Sequence, residues 1–286
     1  LAGRDKMSSR ALKILATAYG QYFNITALFS KEKAAKKAFK LFCTPRKGRL
    51  QDHQKTYLNQ FTQQQVQLAD HRIQTYHLPG KKPLVLLCHG WESNAFRWRN
   101  LLEKLQEAQY EVLFFDAPAH GASSGSELHV PIYESCTSAL IEKFKPTFVI
   151  GHSIGGLAVM YSQYKNPQPS VQKLVSLGAP SELEEIMNNY QRLVGFNNRV
   201  LSALDHYFKK RFSFGISEFS MSELVKKIEQ QGLLIHDLKD PIAPYTAAIR
   251  MQKNWKNAKL ITTEGLGHSL HQEQVNNQII AFLEAS

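Results

Sequence analysis

The sequence predicts an α/β fold: a mainly parallel central sheet flanked by helices on both faces, with a helical cap inserted late in the chain. Three observations carry this prediction. From Leu84 onward, short β-branched, apolar runs alternate with helical stretches, the pattern of β-α-β units whose strands are buried on both sides. One such run, residues 147–150, leads into Gly-His-Ser-Ile-Gly-Gly and then directly into the helix-like stretch 157–161. The alternation then stops over about residues 181–222, where Leu183, Ile186, Met187, Tyr190, Val200, Leu204 and Phe208 recur at helical spacing. A chain of 286 residues can bury a large core around one such sheet.

Residues 1–60 read as a basic helical N-terminal extension and residues 61–286 as the sheet domain. The first 55 residues hold 13 Lys and Arg against 3 Asp and Glu, so ten of the eleven net positive charges lie there. Residues 8–29 and 31–42 have the period of amphipathic helices. They are expected to pack on the domain that follows, lysines in water, with Tyr19, Tyr22, Phe23, Leu28, Phe29, Phe39 and Phe42 as the buried face. Peripheral contact with an anionic membrane is the less favoured alternative. Nucleic acid is not an expected partner, because no nucleic-acid motif accompanies the charge.

The polar stretch Gln63–Gln65 reads as a loop or helix surface, and residues 71–78 as an antiparallel or edge strand. Cys43, Cys88 and Cys136 are odd in number and unpatterned, which predicts reduced thiols in a cytoplasmic protein and argues against a disulfide framework or zinc site. No run of about eighteen apolar residues exists, so no membrane span is expected. Neither a cofactor nor a metal is implied.

The chemistry is concentrated at the ends of the predicted strands. A serine is a weak nucleophile until a sharp strand-to-helix turn pushes its hydroxyl clear of the backbone. Gly151 and Gly155 flank such a turn around Ser153, where side chains would collide. The N–H of Ile154, at the helix start, then faces any negative charge developing beside Ser153. Residues 84–91 form a strand ending in His89-Gly90-Trp91, where the chain can turn and present the N–H of Trp91 as a second donor. Residues 110–125 form another strand, followed by Asp116, His120 and Gly121, which read as loop architecture beside those donors. Residues 233–244 run from an apolar strand into a turn. Asp240, before Pro241, is the preferred carboxylate and Asp237 its competitor. Residues 259–268 are a last strand, a glycine-rich turn and His268, placed to take a proton from Ser153. His271 is the nearest rival, but it is expected within the following helix as a surface histidine.

These motifs together resemble the α/β-hydrolase family. In family order the chain carries HGW at 89–91, DAPAHGAS at 116–123, GHSIGG at 151–156, HDLKDPIAP at 236–244 and GLGH at 265–268. The similarity runs from about residue 70 to the end. The DAPAHGAS stretch also resembles a bacterial subgroup with HGW and Thr-Pro-Arg in an N-terminal extension, here Thr44-Pro45-Arg46. The resemblance implies the α/β-hydrolase fold, with Ser153 as nucleophile, Asp240 as acid, His268 as base, and Trp91 and Ile154 as oxyanion donors. It implies a serine hydrolase that cleaves a small-molecule carboxylic ester through an acyl-enzyme. The same triad serves thioesters, amides and carbon–carbon bonds, and a catalytically silent ligand-binding protein is the alternative from another class.

Overall fold

The computed structural model describes residues 9–68 and 70–285. In chain order the elements are α1 (Ser9–Phe29), α2 (Lys31–Cys43), α3 (Asp52–Leu58), β1 (Thr62–Leu68), β2 (His71–Leu78), β3 (Lys82–Cys88), α4 (Arg99–Glu107) and β4 (Tyr110–Phe115). There follow α5 (Val130–Phe144), β5 (Phe148–His152), α6 (Ile154–Lys165), β6 (Lys173–Leu177), α7 (Leu183–Val194) and α8 (Asn198–Phe212). The chain ends with α9 (Met221–Leu224), β7 (Gln231–Asp237), α10 (Thr246–Asn254), β8 (Ala258–Thr263) and α11 (Glu273–Glu284). Contacts divide these elements into two compact units, one holding α1, α2 and residues Glu182–Ser220, the other holding Thr44–Ser181 and Met221 onward. The basic extension therefore groups with the helical insertion, and residues 44–60 belong with the sheet.

The larger unit is built on one eight-stranded sheet in the order β1-β2-β4-β3-β5-β6-β7-β8. The pairs from β4 to β8 are parallel, while β2 is antiparallel to both β1 and β4. This matches the predicted architecture. Its apolar runs follow from burial on both faces: Val85 and Leu87, Val112 and Phe114, Phe148 and Ile150, Val175 and Leu177 share a cluster with α4 and α11 side chains such as Leu102 and Ile279. Their alternates Leu86, Leu113, Val149 and Leu174 are equally buried, as a two-residue period requires on the opposite face.

Residues 63–65 are not loop or helix but part of β1, the edge strand. Only Val66 of that strand is buried. Its exposed glutamines leave the sheet's outer edge polar, a common defence against further strand addition. The strand predicted at 71–78 is antiparallel, and it is covered by β1 instead of forming the edge.

In the smaller unit, α2 packs against α8 and α1 against α7. Phe39 is buried, with its ring 5.2–5.8 Å from those of Tyr207, Phe208 and Phe212. Gly20 lets α1 approach α7 closely, because a Cβ there would sit 2.1 Å from the Val194 carbonyl oxygen. Of the apolar residues expected to face inward, Phe23 and Phe39 are buried and Phe42 partly so. Tyr19, Tyr22, Leu28 and Phe29 are exposed. The helix is thus two-faced in a way its composition hides, since both faces are apolar.

All three cysteines are buried free thiols. No described helix is long and apolar enough to cross a membrane.

A buried cation fastens the last helix to the sheet. Lys173, at the start of β6, donates to the carbonyls of Phe282 and Leu283 at 3.1 Å each, and also to that of Ala285. These acceptors lie at the C-terminal end of α11, where carbonyls lack intrahelical partners and positive charge is favoured. Lys173→Met should therefore cost about 1–3 kcal/mol and lower the melting temperature by roughly 3–10 °C. Calorimetry checks this; an unchanged melting temperature would mean that Lys173 does not hold α11.

Candidate active site

Ser153 sits between β5 and α6 with φ 54° and ψ −123°, a backbone conformation that L-residues avoid. Such a residue costs about 1–3 kcal/mol and persists only where its surroundings enforce it. Here they do. The Ser153 N–H donates to the Leu177 carbonyl at 2.8 Å. A Cβ on Gly151 would fall 2.5 Å from the Gly155 oxygen, and one on Gly155 would fall 2.3 Å from the Cys88 oxygen. The two glycines of the motif are thus required by close approach of the turn to itself and to the end of β3.

A hydrogen-bonded chain starts from this turn. His268 Nε2 lies 3.0 Å from Ser153 Oγ, and His268 Nδ1 lies 2.7 Å from Asp240 Oδ2. The Asp240 side chain is inaccessible to solvent and His268 is 18% exposed. Burial raises the Asp240 pKa, but hydrogen bonds from His268 and from the N–H groups of Ile242 and Ala243 outweigh it and hold the carboxyl below its ordinary value. Gly178, at φ 57°, lies where a Cβ would come within 3.4 Å of both Asp240 Oδ2 and His268 Nδ1. The arrangement can pass a proton from a hydroxyl to an imidazole whose other nitrogen is fixed by a carboxylate.

The competing residues are engaged elsewhere. Asp237 accepts from Lys239 N, Thr263 Oγ1 and Leu266 N at 2.8–2.9 Å, joining the ends of β7 and β8. His271 is exposed and lies before α11, not within it.

Among the described residues the N–H groups of Trp91 and Ile154 have no hydrogen-bond acceptor, and the turn at 89–91 runs against the serine. A Cβ on Gly90 would be 2.5 Å from His152 Nδ1 and 3.2 Å from Ser153 Cβ. Two histidines clasp this turn to the loop after β4. His89 Nδ1 donates to the Gly90 carbonyl, leaving Nε2 to accept from Ala117 N at 2.9 Å. Reciprocally, His120 Nδ1 donates to the Pro118 carbonyl, leaving Nε2 to accept from Glu92 N at 3.0 Å. Both rings must be neutral to accept, and burial pushes both pKa values down.

Asp116 anchors the same loops from beneath. Its carboxylate is fully buried and accepts from Ala95 N, Ala122 N and Tyr76 Oη at 2.8–2.9 Å. Gly121, at φ 49°, wraps so tightly that a Cβ would lie 1.9 Å from the Asp116 carboxyl carbon. Burial raises the Asp116 pKa against those hydrogen bonds. Asp116 and His120 thus brace the loops, in keeping with their sequence reading.

Sequence reasoning missed three braces. His152 Nε2 donates to the His268 carbonyl at 2.8 Å, and Arg97 Nη2 to the Ser269 carbonyl at 2.6 Å. Together they hold two successive carbonyls of the histidine loop, in which Gly267 and Leu270 have positive φ. Arg49 donates to the carbonyls of Gly121, Ser123 and Gly125. The only sequence signal for Arg49 was its nearness to Thr44-Pro45-Arg46, whose Arg46 N–H donates to Glu92 at 2.8 Å. Among the described residues no group of three or more His, Cys, Asp or Glu side chains is disposed to hold a metal ion.

Two family models adjoin along the chain, one described as serine aminopeptidase, S33 over residues 79–212 and one as TAP-like protein over residues 217–286. Among curated relatives, protein phosphatase methylesterase 1 of Candida albicans is 29% identical over 35% of this chain and 30% of its own length. A pimeloyl-[acyl-carrier protein] methyl ester esterase of Vibrio vulnificus is 27% identical over 49% of this chain and 52% of its own. The matches thus span about half or less of these relatives. Among solved structures, mouse alpha/beta hydrolase domain-containing protein 10 superposes with a TM-score of 0.62 at 15% identity, over 78% of this chain and 97% of that one. A strand-to-helix serine turn on a mainly parallel sheet, two adjoining family matches and a shared fold of this extent lead to one conclusion: the chain has the α/β-hydrolase fold.

Proposed function

We propose that this protein is a serine hydrolase that cleaves a carboxylic ester through an acyl-enzyme, with Ser153 as nucleophile, His268 as general base and acid, and Asp240 as the carboxylate that orients His268. The observation that carries the proposal is the chain Ser153 Oγ···His268 Nε2···His268 Nδ1···Asp240 at 3.0 and 2.7 Å. Ser153 Oγ attacks the ester carbonyl while His268 Nε2 takes the hydroxyl proton. The imidazolium that forms is stabilised by Asp240 and returns the proton to the leaving alcohol. Water, deprotonated by His268, then attacks the acyl-serine and releases the carboxylic acid. The N–H groups of Trp91 and Ile154 donate to the oxyanion in both steps; losing one such donor typically costs about 2.7–4 kcal/mol. Ester chemistry is supported by the relatives named as methyl ester esterases and monoacylglycerol lipase.

Ser153→Ala should lower turnover of p-nitrophenyl esters by about a thousandfold or more while leaving the fold intact. Retention of a substantial fraction of turnover would assign the nucleophile elsewhere.

Asp240→Asn and Asp237→Asn separate catalysis from loop support. The first should cost about 10³–10⁴ in kcat, because an amide favours the wrong histidine tautomer. The second should change kcat by less than about tenfold and chiefly lower the melting temperature. Steady-state kinetics on folded protein decide it, and the reverse ranking would move the acid to Asp237.

Stability depends on pH. His89, His120 and His152 have pKa values lowered by burial, so below the unfolded-state value of about 6.5 the unfolded chain binds protons that the folded chain refuses. Stability is therefore full above that pH and declines as pH falls beneath it. Melting curves across this range test this; a melting temperature constant between pH 7 and about 5 would contradict it.

A further inference from the structure

Eight of the twelve large apolar side chains exposed among the described residues lie on the single helix α1. Isolated exposed apolar residues are ordinary, whereas a contiguous apolar face marks an interaction surface. Leu12, Leu15, Tyr19, Tyr22 and Phe29 follow one another at three-, four- and seven-residue intervals, so they form one ridge of the helix. Ile14, Ile25 and Leu28 form the ridge beside it, and the exposure reaches 58% at Ile25, 64% at Leu28 and 87% at Phe29. The opposite side is the packed one: Phe23 and Ala27 are buried there, and Gly20 faces the Val194 carbonyl. Packing within the smaller unit therefore accounts for one face of α1 and leaves the other apolar and bare.

Charge identifies what the bare face suits. Helices α1 and α2 carry Lys13, Lys31, Lys33, Lys36, Lys37 and Lys40 against one acid, Glu32, which pairs with Lys36. Lys31, Lys33 and Lys37 have no carboxylate within ion-pair distance among the described residues. Lys37 lies 4.7 Å from the centroid of the Tyr22 ring and also donates to its hydroxyl, so positive charge borders the apolar face directly. A protein partner for an aliphatic face would not by itself call for a rim of one sign. A bilayer with anionic headgroups does, since it offers acyl chains and negative charge at adjacent depths, with tyrosines suited to the boundary.

We propose that α1 is an interfacial anchor, lying in the headgroup region of an anionic phospholipid bilayer with its exposed apolar face among the acyl chains and the α2 lysines against lipid phosphates. The helix lies on the membrane and does not cross it, in agreement with its hydropathy. Binding combines burial of apolar surface with attraction that salt screens. It is independent of the chemistry proposed at Ser153.

The test is co-sedimentation of the full chain with phosphatidylglycerol-containing vesicles and with pure phosphatidylcholine vesicles, at low and high salt. The full chain should bind the anionic vesicles, less so at high salt, and Ser153→Ala should bind equally. Leu28→Glu combined with Phe29→Glu should weaken binding by about tenfold or more. Because both side chains are exposed, circular dichroism should be unchanged. Lys31→Glu combined with Lys33→Glu supplies a second variant, at positions outside the core, and should weaken binding comparably while flattening its salt dependence. Failure of the full chain to bind anionic vesicles would overturn the proposal, as would double variants that both bind as tightly as the unaltered chain. So would a dimer, seen by light scattering, that Leu28→Glu with Phe29→Glu disperses in the absence of vesicle binding; the bare face would then belong to a second copy.

Discussion

The backbone at Ser153 is the constraint on which the arrangement of the larger unit depends. A residue with a side chain is held at φ 54°, and nothing local would keep it there. Its neighbours do so by excluding alternatives. The N–H is taken by β6 through Leu177, and the glycines at 151 and 155 leave no room for the turn to relax toward α6 or β3. The same tight spacing carries Gly90 against His152, and so brings the end of β3 to the serine. Strand register and loop placement are two descriptions of a single packing condition.

Around that turn the protein uses polar groups as struts, and keeps most of them uncharged. His89 and His120 each give their loop an acceptor for the other loop's backbone, a role that burial supports by disfavouring protonation. Asp116 gathers three donors from different segments around one carboxylate. An unsatisfied buried polar group costs roughly 1–3 kcal/mol, so such struts resist rearrangement only while every partner stays in place. His152 and Arg97 extend the scheme to the histidine loop, whose positive-φ residues would otherwise leave the position of His268 loosely specified.

Much of this was legible from residue order. A buried parallel strand reads as an apolar run, and a serine between two glycines reads as a turn, because each pattern has a local steric cause. Asp240 could be preferred to Asp237 from the prolines after it, but only the contacts of Asp237 with Thr263 and Leu266 explain what the second carboxylate does. The polar strand β1 was hidden because an edge strand with one buried residue carries almost no alternation. The faces of α1 were hidden for the converse reason: periodicity separates apolar from polar, and here both sides are apolar. Arg49 and Arg97 act through backbone carbonyls, which leave no imprint on the sequence.

The smaller unit is assembled from two stretches of chain that lie far apart. About 140 residues separate Cys43 from Glu182, and α2 finds its packing surface on α8. On a ribosome adding about 5–20 residues per second, α1 and α2 would wait roughly 7–30 s for the partners that cover Phe23 and Phe39. During that interval the nascent chain displays apolar surface on all sides of its first helix. Completion of this unit is therefore a late event in biosynthesis although its first helices are made early, and a chain arrested before α8 would leave Phe39 without the rings that cover it.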